Sequence, residues 1–517
     1  MADIYFGENG SDITGDGSSG NPYRSRDFSV TQGVAGTDTL VLMDGTNSVA
    51  DAVGFWNMND DFLHRAQTRR GATLIGDNAS YVARTSSGLT VAMNPFRVQG
   101  IVFDGRETNS QAFEIGQDAS DDLIIQFHDC EFKAGSNYCL FDFMQRGRQE
   151  LVNCKFSGSP GTSAFTSTSF LGGHGDQVLD MQLIDLDLTL TSADEAFFFE
   201  KTNNLTNTLD IFVKGVTGSV SSVGAVSVNF IDLFGAAAPV VTGCDVTLNA
   251  DDDATGFNGV LIRGNTVAVT SDCTISNNNI KFNSPVGYAI MLGQSTVDAN
   301  VSGGTVAGNT VTGKYYASST PHNFLMGQAT TGVCRGNTSI EGYVGYLISK
   351  TTTADVSGNL AFDCYGPNYY IKGATDCTVK DNIAVLSGKF AQRDNGVIAV
   401  IDQGGIDTAG ATIQENLVIV SDISKIHSLA QIADASQVCS FVRNTYIIPD
   451  TVDVDTADLF AYQHPSANNT LSEWNAQAEI TGDVIVQLSA AEISRLVNEL
   501  RPSTGTTSTS IVPSIVR

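Results

Sequence analysis

The chain has 517 residues, with 51 Gly and only 11 Pro, and 56 acidic against 28 basic side chains. A net charge of −28 repels nucleic-acid phosphate and anionic membrane surfaces, and leaves neutral sugars or cationic partners as compatible ligands. Runs of helix-forming Glu, Lys, Leu and Ala are scarce, so strand and turn are predicted throughout, in several domains or in one elongated repeat fold.

The opening MADIYFGENG has neither a basic n-region nor an apolar h-region, so no secretory signal is encoded here, and the expectation is either synthesis in the cytoplasm or a leader already removed from this sequence. Residues 4–25, IYFGENGSDITGDGSSGNPYRS, read as a turn-rich entry segment. Asp12 and Asp16 are too irregularly spaced for a calcium loop, and the glycines do not precede a helix as those of a phosphate loop would. Ile4 to Phe6 and Thr39 to Met43 are predicted short strands. GFWNMNDDFLHRAQTRR, residues 54–70, suits a plug over an apolar core, and GATLIGDN, residues 71–78, reads as the first complete coil.

From there a repeat dominates. A small residue, any residue, an apolar residue, two more and then Asn recur as CTISNN, GTVAGN, GVCRGN, ADVSGN, CTVKDN, ATIQEN and CSFVRN. They end at Asn278, Asn309, Asn337, Asn359, Asn382, Asn416 and Asn444, in steps of 31, 28, 22, 23, 34 and 28 residues. Weaker relatives lie around Asp129, Asn153 and Gly243. Between these motifs runs a second track of short apolar strands, from AFEIGQ at 112 through AFFFEK at 196 and AIMLGQ at 289 to AQIADA at 430.

Two or three short strands per step, with no helix between them, predict an all-β, single-stranded right-handed parallel β-helix. Its coils would stack about 4.8 Å apart. Roughly 13–14 coils between Leu74 and Tyr462 would make a rod on the order of 60–70 Å long. The Asn column is expected to occupy left-handed corners and to stack its amides, with Cys and small residues five places earlier pointing inward. A β-propeller needs longer, four-stranded repeats, and tandem sandwiches would not produce one Asn column. The odd count of nine Cys without a CxxC pair predicts buried free thiols rather than disulfides or a metal site. Residues 223–241 contain Asn229, Asp232 and Pro239, so no membrane span is expected there.

Near the end, Ser489 and Glu492 form a capping-box pattern, and Ile493, Leu496, Val497 and Leu500 follow at helical spacing. A short amphipathic helix is expected to cover or abut the last coil. The resulting division is an N-terminal cap at 1–70, the β-helix at 71–465, and a C-terminal cap with a Ser/Thr-rich tail at 466–517. The tail reads as a frayed end or as a strand exchanged with a neighbouring subunit.

The entry segment, followed by GTDTLVLMDGT and GATLIGDN, resembles the start of right-handed parallel β-helix proteins of the pectate-lyase-like superfamily, as do the later GN and DN corners. The resemblance implies the fold. It does not select a reaction, because members include polysaccharide lyases, glycoside hydrolases, epimerases and phage tailspikes. No recognisable lyase motif is present. Without a leader, and with a rod-like, acidic, Gly/Ser/Thr/Asn-rich chain, the likeness is greatest to phage tailspike or tail-fibre proteins. That implies a homotrimeric virion protein, assembled with other tail proteins in the host cytoplasm, that recognises a host surface polysaccharide, with its depolymerisation by a glycosidase or lyase activity left open. The alternatives are a bacterial polysaccharide lyase or glycoside hydrolase, which would be extracellular, and a non-catalytic virion rod.

Stacking would place Glu200, Arg263, Lys372 and Asp402 in one outward-leaning column. Glu200 and Asp232 on adjacent coils could bring their carboxylates about 5–6 Å apart, which suits a retaining glycosidase pair, and Arg263 would bind a uronate or stabilise charge; the alternative for this group is solvated edge residues. Lys201, Gln294, Gln328, Lys372 and Asp402 are the candidate substrate contacts, with Gln117, Gln145 and Gln403 as further amides near strand ends. Lys372 and Asp402, on adjacent coils, more simply make a surface ion pair. Asp251, Asp252 and Asp253 offer oxygen ligands for a structural Ca²⁺ or form a solvated loop; no cofactor and no catalytic metal are expected. His174 with Asp176 lacks a nucleophile context. Tyr315, Tyr316, Tyr369 and Tyr370 are candidates for stacking on sugar rings or for filling the coil.

Overall fold

The computed structural model describes residues 2–48, 62–75, 81–83, 96–104, 113–115, 123–133, 141–143, 147–158, 165–167, 179–192, 199–201, 209–222, 227–234, 237–252, 254, 256–264, 270–293, 301–316, 319–327, 329–392, 395–402, 405–433, 436–462, 468–477 and 479–502. The chain forms two compact units, Met1–Pro239 and Val240–Arg517. Each is a parallel β-helix whose coils contribute strands to three sheets, paired in parallel among the described residues except at Phe460–Tyr462 with Asn468–Asn469.

In the first unit a typical coil runs from Leu123–His128 in the first sheet to Glu131–Lys133 in the second and Phe141–Phe143 in the third. The next coil repeats this one rung on, with Leu123 paired to Gly147, Glu131 to Lys155 and Phe141 to Phe165. The second sheet contains sixteen strands among the described residues. Omitting the two terminal ones, Gly45–Ser48 and Val484–Leu488, leaves fourteen between Leu74 and Tyr462, in line with the expected coil count.

Parallel pairing starts well before Gly71. Asp3–Phe6 pairs with Thr39–Leu42, which pairs with Leu63–Ala66. Phe62 to Ala66 are therefore part of a coil, and residues 54–61 of the expected plug lie outside the described residues. The entry segment folds back on the first strand: Tyr5 donates to Gly17 O, Tyr23 to Tyr5 O and Gly7 to Tyr23 O. The Asp12 carboxylate accepts from Arg24 N, Ser25 N and Ser25 Oγ at 2.8, 2.9 and 2.7 Å, so it braces a turn. Sequence reading missed the helix that follows, Arg26–Gln32, whose N-cap Ser25 accepts from Phe28 N. The helix is anchored by Arg26, 1% exposed, whose Nε donates to His64 Nε2 at 3.2 Å. Burial and the neighbouring Arg26 charge hold His64 well below the usual histidine range.

Corners between the first and second sheets are set by one residue with positive φ followed by one buried residue. In the first unit these pairs include Asp129–Cys130, Asn153–Cys154, Asp185–Leu186 and Gly215–Val216. In the second unit Gly243–Cys244 begins the series and the buried position then becomes Asn, from Asn278 to Asn444. This corrects the expected corner chemistry. The left-handed residues are Asn277, Gly308, Gly336, Gly358, Asp381, Glu415 and Arg443, each just before a column Asn. The column Asn turns inward and forms the expected amide ladder. Asn309 Oδ1 accepts from Asn278 N and Nδ2 at 3.1 and 2.9 Å, while Asn309 Nδ2 donates to Asn337 Oδ1 and Ile275 O, both at 2.9 Å. The amides of the column are thereby satisfied in place.

The core inside each coil is apolar and partly aromatic. Phe103, Phe132 and Phe156 stack at 5.2 and 5.0 Å in the first unit, and Phe324, Tyr346 and Tyr369 at 4.8 and 5.1 Å in the second. All eight described cysteines are buried and free, as expected. Cys273, Cys377 and Cys439 sit five places before a column Asn, whereas Cys130, Cys154 and Cys244 occupy the column position itself.

The last helix, Ala490–Leu500, has the predicted capping box and buries Ile493, Leu496, Val497 and Leu500. It packs sideways against Phe362, Val385, Ile419 and Ile447 on successive strands of the second sheet. The end of the coil is covered instead by Leu471–Asn475. There the fully buried Trp474 stacks on Phe460 at 4.9 Å and meets Phe441 edge-on at 5.2 Å. Residues 503–517, and with them both readings of the tail, lie outside the described residues.

Candidate functional site

In the first unit the third-sheet register makes Glu200 and Asp232 Cα partners on adjacent coils, with Lys201 next to Glu200. Asp232 is 1% exposed and accepts from Asn229 Nδ2 at 2.9 Å, so its carboxylate faces a buried partner instead of an open groove. Arg263 belongs to the second unit, at the partly buried end of Gly256–Arg263.

Within the second unit, Ile262 pairs with Leu292, Leu292 with Met326, Met326 with Ile348 and Ile348 with Ile371. Arg263 and Lys372 each follow the ends of that series, so they occupy corresponding positions four rungs apart. Lys372 pairs with Ile401, which sets Asp402 one residue beyond the column. Asp402 Oδ2 accepts from Gly405 N at 3.2 Å. Gln117, Gln145, Gln294, Gln328, Gln403, His174, Asp176 and Asp253 lie outside the described residues. Asp251 and Asp252 are exposed in a turn in which Asp251 Oδ1 accepts from Asp252 N. Among the described residues no cluster of metal-ligating side chains occurs.

What the second unit does assemble is an aromatic face on the outer side of its third sheet. Alternation along the strands sends Tyr346 and Tyr369 into the coil and Leu347 and Tyr370 outward. Leu261, Met291, Leu325, Leu347, Tyr370 and Ala399, one per rung, form the floor, and Tyr343 and Tyr365 pack on it. Above this floor runs a chain of rings. Tyr288 stacks on His322 at 5.0 Å, His322 meets Tyr343 at 5.9 Å and Tyr343 meets Tyr365 at 5.6 Å. Tyr365 meets Tyr315 at 4.7 Å, and Tyr315 stacks on Phe390 at 4.7 Å. Tyr315 is 41% exposed, a large ring held open to solvent by its neighbours.

Two lysines lie over rings at this face, Lys372 Nζ over Tyr370 at 5.0 Å and Lys389 Nζ over Phe390 at 4.9 Å. Lys389 is also ion-paired with Glu341. Burial lowers the Lys372 pKa from the ordinary lysine value, and the Asp402 charge opposes that shift. Burial first, and the Lys372 charge second, push His322 below the usual histidine range, so its imidazole is neutral at physiological pH. Asn395 Nδ2 donates to the Tyr370 hydroxyl at 3.3 Å. Flat rings with cations at their edges can stack on sugar faces and hydrogen-bond or neutralise sugar substituents. Lowering its pKa raises the fraction of Lys372 present as the neutral amine, the form that can accept a proton.

Of the candidates read from the sequence, Lys372, Tyr315 and Tyr370 meet here. Tyr369 is core, its hydroxyl donating to Asn359 O at 2.9 Å. His322, Tyr288, Tyr343, Tyr365, Phe390 and Lys389 escaped sequence reading, because they come from strand ends and corner loops that only the coil stacking brings together. The track-two strand FLMGQA, with His322 just before it, was the one available signal.

The sequence matches no protein-family model and no curated protein. Among solved structures, the chain is similar to a mannuronic acid-specific polysaccharide family 6 lyase from human gut microbiota, at 10% identity over 96% of this chain and 94% of that one, with a TM-score of 0.36. It is also similar to a PL6 alginate lyase in complex with a trisaccharide, at 12% identity over 95% and 94% of the two chains and a TM-score of 0.33. A third is the A-module of the Azotobacter vinelandii mannuronan C-5 epimerase AlgE6, at 12% identity, 88% and 92% coverage and a TM-score of 0.27. Likeness at this level transfers no residue role.

Proposed function

We propose that the chain is a polysaccharide-binding β-helix protein and that its binding surface is the aromatic face of the second unit. The observation that carries this reading is the exposed Tyr315 ring, stacked on Phe390 with Lys389 above the second ring. Exposed aromatic platforms are costly in water unless something covers them, and a pyranose face fits one. The floor of one outward residue per rung gives a repeat of about 4.8 Å, close to the length of one sugar residue, so an extended glycan can run along the coil axis. Lys372, poised at this surface with a lowered pKa, is the residue from which depolymerisation would draw its base. Affinity electrophoresis and calorimetry on a panel of neutral and acidic polysaccharides test binding, and release of reducing ends or unsaturated sugars tests cleavage. Absence of binding to every member of the panel would sink this reading.

The tailspike reading, with a host surface polysaccharide as ligand and a homotrimer as the assembly, draws support from one other feature. Val484 and Val486 are exposed on Val484–Leu488, which pairs on one side with Thr445–Pro449 and with no other strand among the described residues. An apolar strand edge of that kind favours association with other subunits. Light scattering on the purified chain decides it: a trimer that survives detergent supports a virion role, and a monomer removes it.

A further inference from the structure

The first unit carries a second polar surface on the outer side of its first sheet, apart from the aromatic face of the second unit. Parallel register lines up Arg97, Gln126, Glu150, Gln182 and Phe212, one per rung about 4.8 Å apart. His128 lies beside this column, two residues on from Gln126 and on the same face of the strand, and Arg148 two residues before Glu150. Glu150, with 14% of its side chain exposed, is saturated with donors. Its Oε1 faces His128 Nε2 at 2.8 Å, and its Oε2 accepts from Gln126 Nε2 at 3.3 Å and from Arg148 at 3.4 Å. One carboxylate is thus consumed by its neighbours, while two guanidinium groups stand on the same surface of a chain with net charge −28. Arg97 Nε is buried and has no hydrogen-bond acceptor among the described residues. A buried guanidinium donor without an acceptor is expensive, and an oxyanion supplied from outside removes that cost.

The geometry points to an oxyanion-binding site for an acidic glycan, in which Arg97 and Arg148 take a carboxylate or sulfate group and Gln126 and Gln182 contact adjacent sugars. Glu150 acts as a positioning residue that holds Arg148 and His128 and is screened from the ligand by its three donors. Phe212 closes the column with a ring for stacking, four rungs from Arg97.

The test uses the full chain and three oligosaccharides of equal length: an oligouronate, a sulfated one and a neutral one. Calorimetry at low and high salt should show an acidic ligand binding more tightly than the neutral one, with the difference lost at high salt. Arg97→Gln and Arg148→Gln, each checked for wild-type circular dichroism and melting, should weaken the acidic ligand about tenfold and leave the neutral one unchanged. Arg97→Lys, which keeps charge without the fork, should recover only part of that loss. Tyr315→Ala should leave the arginine-dependent component intact, which separates this site from the proposed aromatic face. The preferred acidic ligand identifies the group as carboxylate or sulfate. Equal binding of all three oligosaccharides, or wild-type affinity in both glutamine variants, would overturn the assignment.

Discussion

Asp483 ends the asparagine ladder on Asn444: its Oδ1 accepts Asn444 N at 2.8 Å and Asn444 Nδ2 at 3.0 Å. Its other oxygen accepts from Tyr446 Oη and Trp474 Nε1, both at 3.1 Å. Four donors converge on one buried group, and only a carboxylate offers acceptors at every position without adding a donor. Burial nevertheless raises the Asp483 pKa above its ordinary value, with the Asn444, Trp474 and Tyr446 hydrogen bonds opposing the shift.

A group whose folded pKa is raised contributes stability that is present at low pH and is lost as pH rises through the folded value. The C-terminal cap should therefore gain stability as pH falls from neutral toward the ordinary carboxylate range of about 3.9. Asp483→Asn removes this contribution and turns an amide donor toward Trp474. Melting curves followed by tryptophan fluorescence should show the wild type gaining on the variant as pH falls; parallel pH profiles would contradict the account.

Within the ladder, Asn359 accepts from Asn337 N and Nδ2 and donates to Cys334 O and Asn382 Oδ1. Asn359→Ala leaves at least three buried polar groups without partners and should cost about 3 kcal/mol or more. Urea unfolding of the variant measures it.

Tyr315→Ala should weaken polysaccharide binding about tenfold with little change in melting temperature, because its exposed ring contributes contact area rather than core. Lys372→Met should weaken acidic polymers more than neutral ones. Because burial lowers its pKa, the Lys372 contribution should disappear as pH rises through a value below the free lysine value of about 10.4. Titration calorimetry across alkaline pH reads both effects.

Leu496→Asp places a charge among Phe362, Val385, Ile419 and Ile447, and should detach the last helix at a cost of about 3 kcal/mol. Limited proteolysis should then cut within residues 489–501 while the rest of the chain stays resistant.

Thiol chemistry gives a further check. Burial pushes Cys273, Cys334, Cys364, Cys377 and Cys439 up to about 12, and Cys154 well above the ordinary thiol value. With eight cysteines buried, no more than one of the nine should react with an aromatic disulfide reagent in the native state. All nine should react in denaturant.

The coil repeat was legible because each motif pairs a corner residue with an inward one at a constant local spacing, whatever the loop length between motifs. The capping box at Ser489 was legible for the same local reason. Where the last helix packs was not, since Phe362 and Ile447 are brought together by stacking that no local pattern encodes. The same limit governs the site. Lys372 and Tyr370 stand two residues apart and could be seen as a pair, whereas Tyr315 and His322 of one coil meet Phe390 from a later one. The left-handed corner position was assigned one residue late, because Asn tolerates positive φ and its burial inside the coil is invisible in one dimension.

The successive steps of the ladder differ by up to twelve residues, from 22 between Asn337 and Asn359 to 34 between Asn382 and Asn416. The amide-to-amide distance is 3.0 Å across both steps. Loop length and rung geometry are therefore independent variables in this molecule. Segments between rungs can be lengthened, shortened or exchanged without disturbing the spine, so new surface chemistry can be grafted onto any coil at small cost to the fold.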